Sequence, residues 1–180
     1  MIRLFLAVSL PTAIRHSLLP LCNGLPGARW EREKNLHLTL RFIGEVPEDV
    51  AQSIDDEMRT LRQPAFSLRL SGLGTFHQGR HGLTLWAGLE RQPALYHLQE
   101  SLESALVRLD LPPEPRKFTP HVTLAKLRNT PSHRLQDYIE GNNLYQSEPF
   151  AVESFTLFQS HLGHEGAVYL PLAEYPLVLG

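Results

Sequence analysis

A short pattern that occurs twice constrains this chain more than anything else in it. Leu36-His37-Leu38-Thr39-Leu40 returns 84 residues later as Pro120-His121-Val122-Thr123-Leu124. Successive side chains of a strand point to opposite faces, so His37, Thr39 and Arg41 share one face while Leu36, Leu38, Leu40 and Phe42 share the other. The second copy divides in the same way, His121 and Thr123 against Val122 and Leu124. Each copy therefore reads as a strand with one packing face and one face carrying an imidazole and a hydroxyl. With nine His and nine Thr in 180 residues, His-x-Thr is expected by chance about 0.45 times. Two copies, each followed by Leu, point to a duplicated unit.

The repeat needs a globular frame, and composition permits one. A chain of 180 residues that is 42% hydrophobic and 20% charged fills a core and folds without a partner. The net charge of −2 argues against a protein that follows long nucleic acid by neutralising many phosphates, and leaves a small phosphate ligand or an RNA end open. Cys22 is the only cysteine, so neither an internal disulfide nor a cysteine metal cluster forms, as in a reducing cytoplasm. The apolar opening Ile2–Val8 carries a single Arg and is followed by a helix start at Pro11, unlike a secretory signal. No apolar run reaches the ~18 residues that cross a bilayer.

Along the chain, alternation predicts a strand over 2–9, with Ile2, Leu4, Leu6 and Val8 on one face and Arg3, Phe5 and Ala7 on the other. Helical spacing follows to about 22, and the first motif strand covers 36–43. Helices are expected after Pro47 and over 94–110, where Leu95, Leu98, Leu102, Leu106 and Leu109 recur. Strands over 66–73 and 82–89 flank a glycine-rich loop, 74–82, that holds His77, Arg80 and His81. The second motif strand runs over 121–127, a short helix over 132–139, and closing strands over 149–159 and 167–173. Hairpin-paired strands with helices between them predict an α+β fold with largely antiparallel sheet. With the repeat, the expectation is two pseudo-symmetric lobes with helices on the outside, enclosing a central groove, within a single domain of two intertwined lobes over 1–180.

Two histidines aimed into one groove suit the opening of a cyclic phosphodiester. Water is deprotonated as it attacks phosphorus, the departing ribose oxygen is protonated on the opposite side, and histidine titrates in the range both steps need. Thr39 and Thr123, on the same faces, are placed to donate to the non-bridging oxygens. A metal centre fits less well, because catalytic zinc takes three protein ligands and neither motif adds a nearby carboxylate or second histidine. Candidate substrate-binding residues are Phe5, stacked on a base or packed in the core, and Arg41, on the His37 face or simply solvated. Arg80 and Arg116 neutralise phosphate or are ordinary surface charges.

The paired motifs resemble the two-histidine (2H) phosphoesterases, specifically the bacterial RNA 2′,3′-cyclic phosphodiesterases, also called 2′-5′ RNA ligases. The resemblance takes in Arg3-Leu4-Phe5-Leu6-Ala7, Asn35–Val46, Leu85-Trp86-Ala87-Gly88-Leu89 and Arg116–Ala125. It implies two lobes around a cleft, no metal or other cofactor, and hydrolysis of a terminal 2′,3′-cyclic phosphate to a 2′-phosphomonoester in RNA processing. It also implies His37 as general acid and His121 as general base, a choice the residues alone leave open. Lys126 departs from the pattern, since many relatives carry Arg there; an ammonium meets phosphate as a point charge where a guanidinium grips it in two places. The expected partners are RNA ends or nucleotides with a 2′,3′-cyclic phosphate, tRNA halves included, for a cytoplasmic monomer that does not engage membranes. Two other functions suit the same residues: 2′-5′ RNA ligation of tRNA half-molecules, and a non-catalytic module that binds nucleotides or RNA ends.

Overall fold

Every α-helix begins at a proline, which has no amide hydrogen to leave unpaired and whose φ already suits a helix start. Pro11 precedes α1 (Thr12–Leu18), Pro47 precedes α2 (Glu48–Thr60), Pro93 opens α3 (Pro93–Arg108) and Pro131 precedes α4 (Ser132–Asn142). The computed structural model describes residues 1–180 and is α+β with largely antiparallel sheet. Its strands are β1 (Ile2–Ser9), β2 (Ala28–Trp30), β3 (His37–Val46), β4 (Phe66–Leu68), β5 (Leu70–Gln78), β6 (Gly82–Leu89), β7 (Val122–Arg128), β8 (Phe150–Val152), β9 (Ser154–Gly163) and β10 (Gly166–Pro176). The main sheet runs β10-β9-β1-β3-β7-β6-β5, with β2 also paired to β7, while β4 and β8 form a separate ribbon.

The two motif strands lie at the centre of the sheet and touch through one antiparallel pair, Leu38 with Val122. Those two residues hold the same place in the two copies, so the pseudo-two-fold axis relating the copies passes through their bridge. Buried residues of the helices, among them Ile14, Leu18, Ile54, Met58, Leu98, Leu102 and Tyr138, join Leu38, Leu40, Val122 and Leu124 in a continuous core. The histidine face is partly roofed instead by the β9–β10 hairpin. Beyond Thr156–Gln159 this hairpin leaves β1, and it is tied down before β3, where Asn35 Nδ2 donates to Ala167 O at 2.9 Å and Arg32 to Glu165 Oε2 at 2.9 Å.

Each motif strand carries a β-bulge at the same place. Thr39 pairs with Ala7 and Arg41 with Leu6, leaving Leu40 as the extra residue. Thr123 pairs with Trp86 and Ala125 with Leu85, leaving Leu124. An extra residue reverses the alternation beyond it, which corrects two expectations. Arg41 is not on the histidine face: it lies opposite core-facing Leu6 and is buried. Its Nε donates to Glu103 Oε2 at 2.6 Å and its Nη2 to Pro112 O at 2.6 Å. Phe42 is not a core residue; it is turned onto the histidine face and is 54% exposed.

The glycine-rich segment 74–82 is also mostly strand rather than loop, and only Gly79-Arg80-His81 makes the turn. A Cβ at Gly74 would overlap the Trp86 indole, so this glycine serves close packing across a strand pair.

Arg41 fastens α3 and the proline-rich segment after it to the underside of β3, and Glu103 also accepts from the Glu114 amide at 2.9 Å. Removing one partner of such a pair leaves the other charge buried. Glu103→Ala is therefore expected to cost about 3 kcal/mol of stability and to lower the melting temperature by roughly 10 °C. A loss below about 1 kcal/mol in urea denaturation would show that Arg41 finds water instead.

Candidate active site

The bridge between Leu38 and Val122 puts the side chains of the flanking residues 37, 39, 121 and 123 on one sheet face, so the two His-Thr pairs meet across the seam. Both imidazoles are anchored alike. His37 Nδ1 lies 2.6 Å from Asn35 O, and His121 Nδ1 lies 2.7 Å from Thr119 O, in each case the carbonyl two residues earlier. A carbonyl can only accept, so Nδ1 carries the proton on both rings and Nε2 is the acceptor nitrogen of the neutral form. The Nε2 atoms differ: that of His37 is 2.8 Å from Thr39 Oγ1, while that of His121 has no protein partner.

Aromatic rings hold each imidazole. Phe5 and the edge of Tyr169 pack on His37 at 5.1 and 5.3 Å between centroids; Phe76 and Trp86 pack on His121 at 4.9 and 6.2 Å. Burial pushes both histidines below their ordinary pKa, and the Nδ1 hydrogen bonds oppose that push. The charge of His121 lowers His37 further, whereas His121 feels the Lys126 ammonium. Burial raises the half-buried Glu31 carboxyl, with Lys126 and Arg29 pulling it back.

The remaining sequence-predicted residues scatter. Lys126, turned onto the histidine face by the second bulge, donates to Thr84 Oγ1 at 3.1 Å. Phe5 lies beside His37 but is only 2% exposed and stacks on Phe158 at 5.2 Å, so its ring is a floor under the imidazole and offers no open face to a base. Arg116 points into solvent, paired with Glu114 at 3.0 Å. Arg80 is exposed at the β5–β6 turn. Arg41 lies beneath the sheet. No group of three or more His, Cys, Asp or Glu side chains converges as a metal site.

Phe42, Tyr169 and Phe76 escaped the sequence reading. Phe42 follows a bulge that strict alternation ignores, Tyr169 arrives on the roofing hairpin, and Phe76 stood in an expected loop. One signal did exist: strict alternation from Val122 puts Lys126 on the core face, a position a lysine avoids. Cavities of about 530 and 480 Å³ flank the His37 half and share Phe5 and Tyr169; the first reaches Lys34 and His37, the second Arg3 and Phe42. His121 lines neither and is partly buried.

The model of the 2′-5′ RNA ligase superfamily matches residues 24–164. An RNA 2′,3′-cyclic phosphodiesterase of Aeropyrum pernix is 34% identical over 79% of this chain and 82% of its own length. The Escherichia coli K12 protein of the same name is 32% identical over 97% and 96%. E. coli LigT in complex with 3′-AMP superposes with a TM-score of 0.80 at 29% identity, covering 98% of both chains. A Thermus thermophilus protein superposes at 0.77 and 27%, covering 97% of both.

The geometry makes a spectroscopic expectation. In ¹⁵N NMR both rings should be the Nδ1-protonated tautomer at pH 7, and both should titrate below the ordinary value of 6.5. A neutral ring protonated at Nε2, or a titration above 6.5, would contradict the anchoring described.

Proposed function

The chain belongs to the 2′-5′ RNA ligase superfamily, and on that basis we propose that it hydrolyses the 2′,3′-cyclic phosphate of an RNA end to a 2′-phosphomonoester, without a metal. The observation that carries this reading is the pair of Nδ1-anchored imidazoles meeting across the Leu38–Val122 seam, each with a threonine two residues on. Water attacks phosphorus from the His121 side and gives its proton to His121 Nε2. The bond from phosphorus to O3′ breaks, and His37 Nε2–H protonates the departing oxygen. Thr39 and Thr123 donate to the non-bridging oxygens, whose charge rises during transfer. Exchange with solvent then returns the proton to His37.

Two observations favour these roles. His121 Nε2 is unoccupied, and the Lys126 cation beside it favours the neutral form that a base must have. His37 is the more enclosed ring, and it gains a proton when an anionic phosphate arrives to offset its burial. Phe42, open on the same face and 5.7 Å from Phe5 between centroids, takes the base-stacking part expected of Phe5, since single-stranded RNA is held by such rings.

The family's name favours a second reading, 2′-5′ joining, in which the 5′-hydroxyl of another RNA end replaces water. The same phosphorus–O3′ bond breaks, and the cyclic phosphate supplies the energy.

Purified protein in EDTA should convert adenosine 2′,3′-cyclic phosphate to the 2′-monophosphate, followed by ³¹P NMR. His37→Ala and His121→Ala should each reduce kcat/KM at least ~10²-fold. Loss of activity on chelation, or full activity in either variant, would refute the reading. Because both histidines lie low in the free protein, the kcat/KM profile should be a bell whose limbs both fall below the usual histidine range. Lys126→Met removes a cation that lowers His121, so the base's pKa rises. The acid-side limb should then move to higher pH, and an unmoved limb would separate Lys126 from His121.

A further inference from the structure

Beyond Thr123 the histidine face of β7 becomes cationic. The bulge at Leu124 turns Lys126 and Arg128 onto this face, and both are exposed. Arg29 of β2 stands directly opposite Lys126 and is exposed as well. On the other flank Arg128 faces Gly82, which has no side chain to cover it, and Arg80 follows at the turn. Like charges directly opposite on paired strands destabilise a sheet. Seven arginines elsewhere are relieved by acids, among them Arg15 by Glu33, Arg32 by Glu165, Arg41 by Glu103, Arg59 by Asp55 and Arg108 by Glu57, whereas Arg3, Arg62, Arg91 and Arg134 stand alone without being gathered on one strand. Neither Arg29, Arg80, Lys126 nor Arg128 has a carboxylate within 4 Å. Glu31, whose carboxyl Lys126 and Arg29 pull down, is half-buried and pairs with neither within 4 Å.

The other half of the sheet lacks this character. The positions matching Lys126 and Arg128 in the first copy are Phe42 and Gly44, and no strand corresponding to β2 lies beside them. The cationic row is therefore an addition to one half of the pseudo-symmetric frame. It starts at His121 and runs roughly 20 Å along β7 at 3.3 Å per residue, which is more than a single phosphate occupies.

The geometry assigns this row, Lys126, Arg29 and Arg128, to the phosphodiester backbone of an RNA strand whose reactive end lies between the histidines. The assignment rests on the catalytic reading above and narrows its substrate class to oligonucleotides over mononucleotides. The overall charge of −2 does not oppose it, because the cations are gathered on one face.

The test compares adenosine 2′,3′-cyclic phosphate with a ten-nucleotide RNA ending in a 2′,3′-cyclic phosphate. For the double variant Arg29→Ala/Arg128→Ala, KM for the oligonucleotide should rise about tenfold with kcat little changed, while both constants for the mononucleotide stay within twofold. Three cations on a single strand give a slope near −2 for log kcat/KM against log salt, and the double variant should fall to about −0.7. Arg29→Lys/Arg128→Lys keeps the charges and should restore both KM and slope. Equal losses on the two substrates, an unchanged oligonucleotide KM, or an unchanged slope would overturn the assignment. If the unaltered protein hydrolyses neither substrate, the catalytic reading fails. The row is then judged by the fluorescence anisotropy of a labelled RNA with a 3′-phosphate: a tenfold weaker Kd in the double variant upholds it, and equal Kd values overturn it.

Discussion

One contact between two strands sets the geometry of the whole face. Leu38 and Val122 are equivalent residues of the two copies and are also the only pair that joins β3 to β7. A local two-fold at that pair brings His37 toward Thr123 and His121 toward Thr39. Strand side chains alternate with a period of two, so a slip of one residue would send one imidazole into the core and leave the other alone. The register is held from outside the seam. Leu38 and Val122 are fully buried, β1 grips β3 along its length and β6 grips β7, and Arg41 pins β3 to α3 from below.

The duplicated bulge gives the two halves different surfaces within one backbone plan. It turns the same motif position outward in both copies, and that position holds Phe42 in one and Lys126 in the other. Phe42 packs on Phe5, which in turn meets Phe158 and Tyr169, an aromatic surface suited to a base. Lys126 is instead hydrogen-bonded to Thr84, which in turn donates to Gln78 Oε1 at 3.1 Å, a surface suited to an anion. In the proposed reaction, symmetry of the backbone supplies the two proton-transfer groups and asymmetry of the side chains supplies a direction for the substrate.

Much of this was legible in the residues. The α+β architecture, the helices begun by prolines and both His-Thr pairs follow from periodicity and from the repeat. Alternation failed where an extra residue enters a strand, and so Arg41 and Phe42 exchanged faces. A bulge is set by the partner strand, and a pattern read along one strand carries no record of it; only Lys126, a charge in a core phase, betrayed it. Gly74 was misread for a related reason: glycine permits a turn and also permits an indole to lie against the backbone, and the choice between them belongs to Trp86 on the next strand. Phe5 and Tyr169 show the limit of a local reading, since the roof that buries Phe5 arrives from more than 150 residues along the chain.

The asymmetry of binding also bears on which histidine holds the proton. In the free protein burial disfavours the charged form of both rings, so neither is ready to act as an acid. In the proposed reaction a bound phosphate supplies the missing counter-charge and draws one proton into the site. Two rings in equivalent backbone positions would share that proton evenly, and a shared proton assigns no direction to the reaction. In the proposed reaction Lys126 favours the neutral form of His121, while His37 is held down by its deeper burial and by the charge of His121. The position beside His37 that matches Lys126 holds the uncharged Phe42, so in that proposal the counter-charge of the phosphate falls to His37. The proposed assignment of acid and base thus rests on the same Phe42/Lys126 difference as the proposed split between base and backbone.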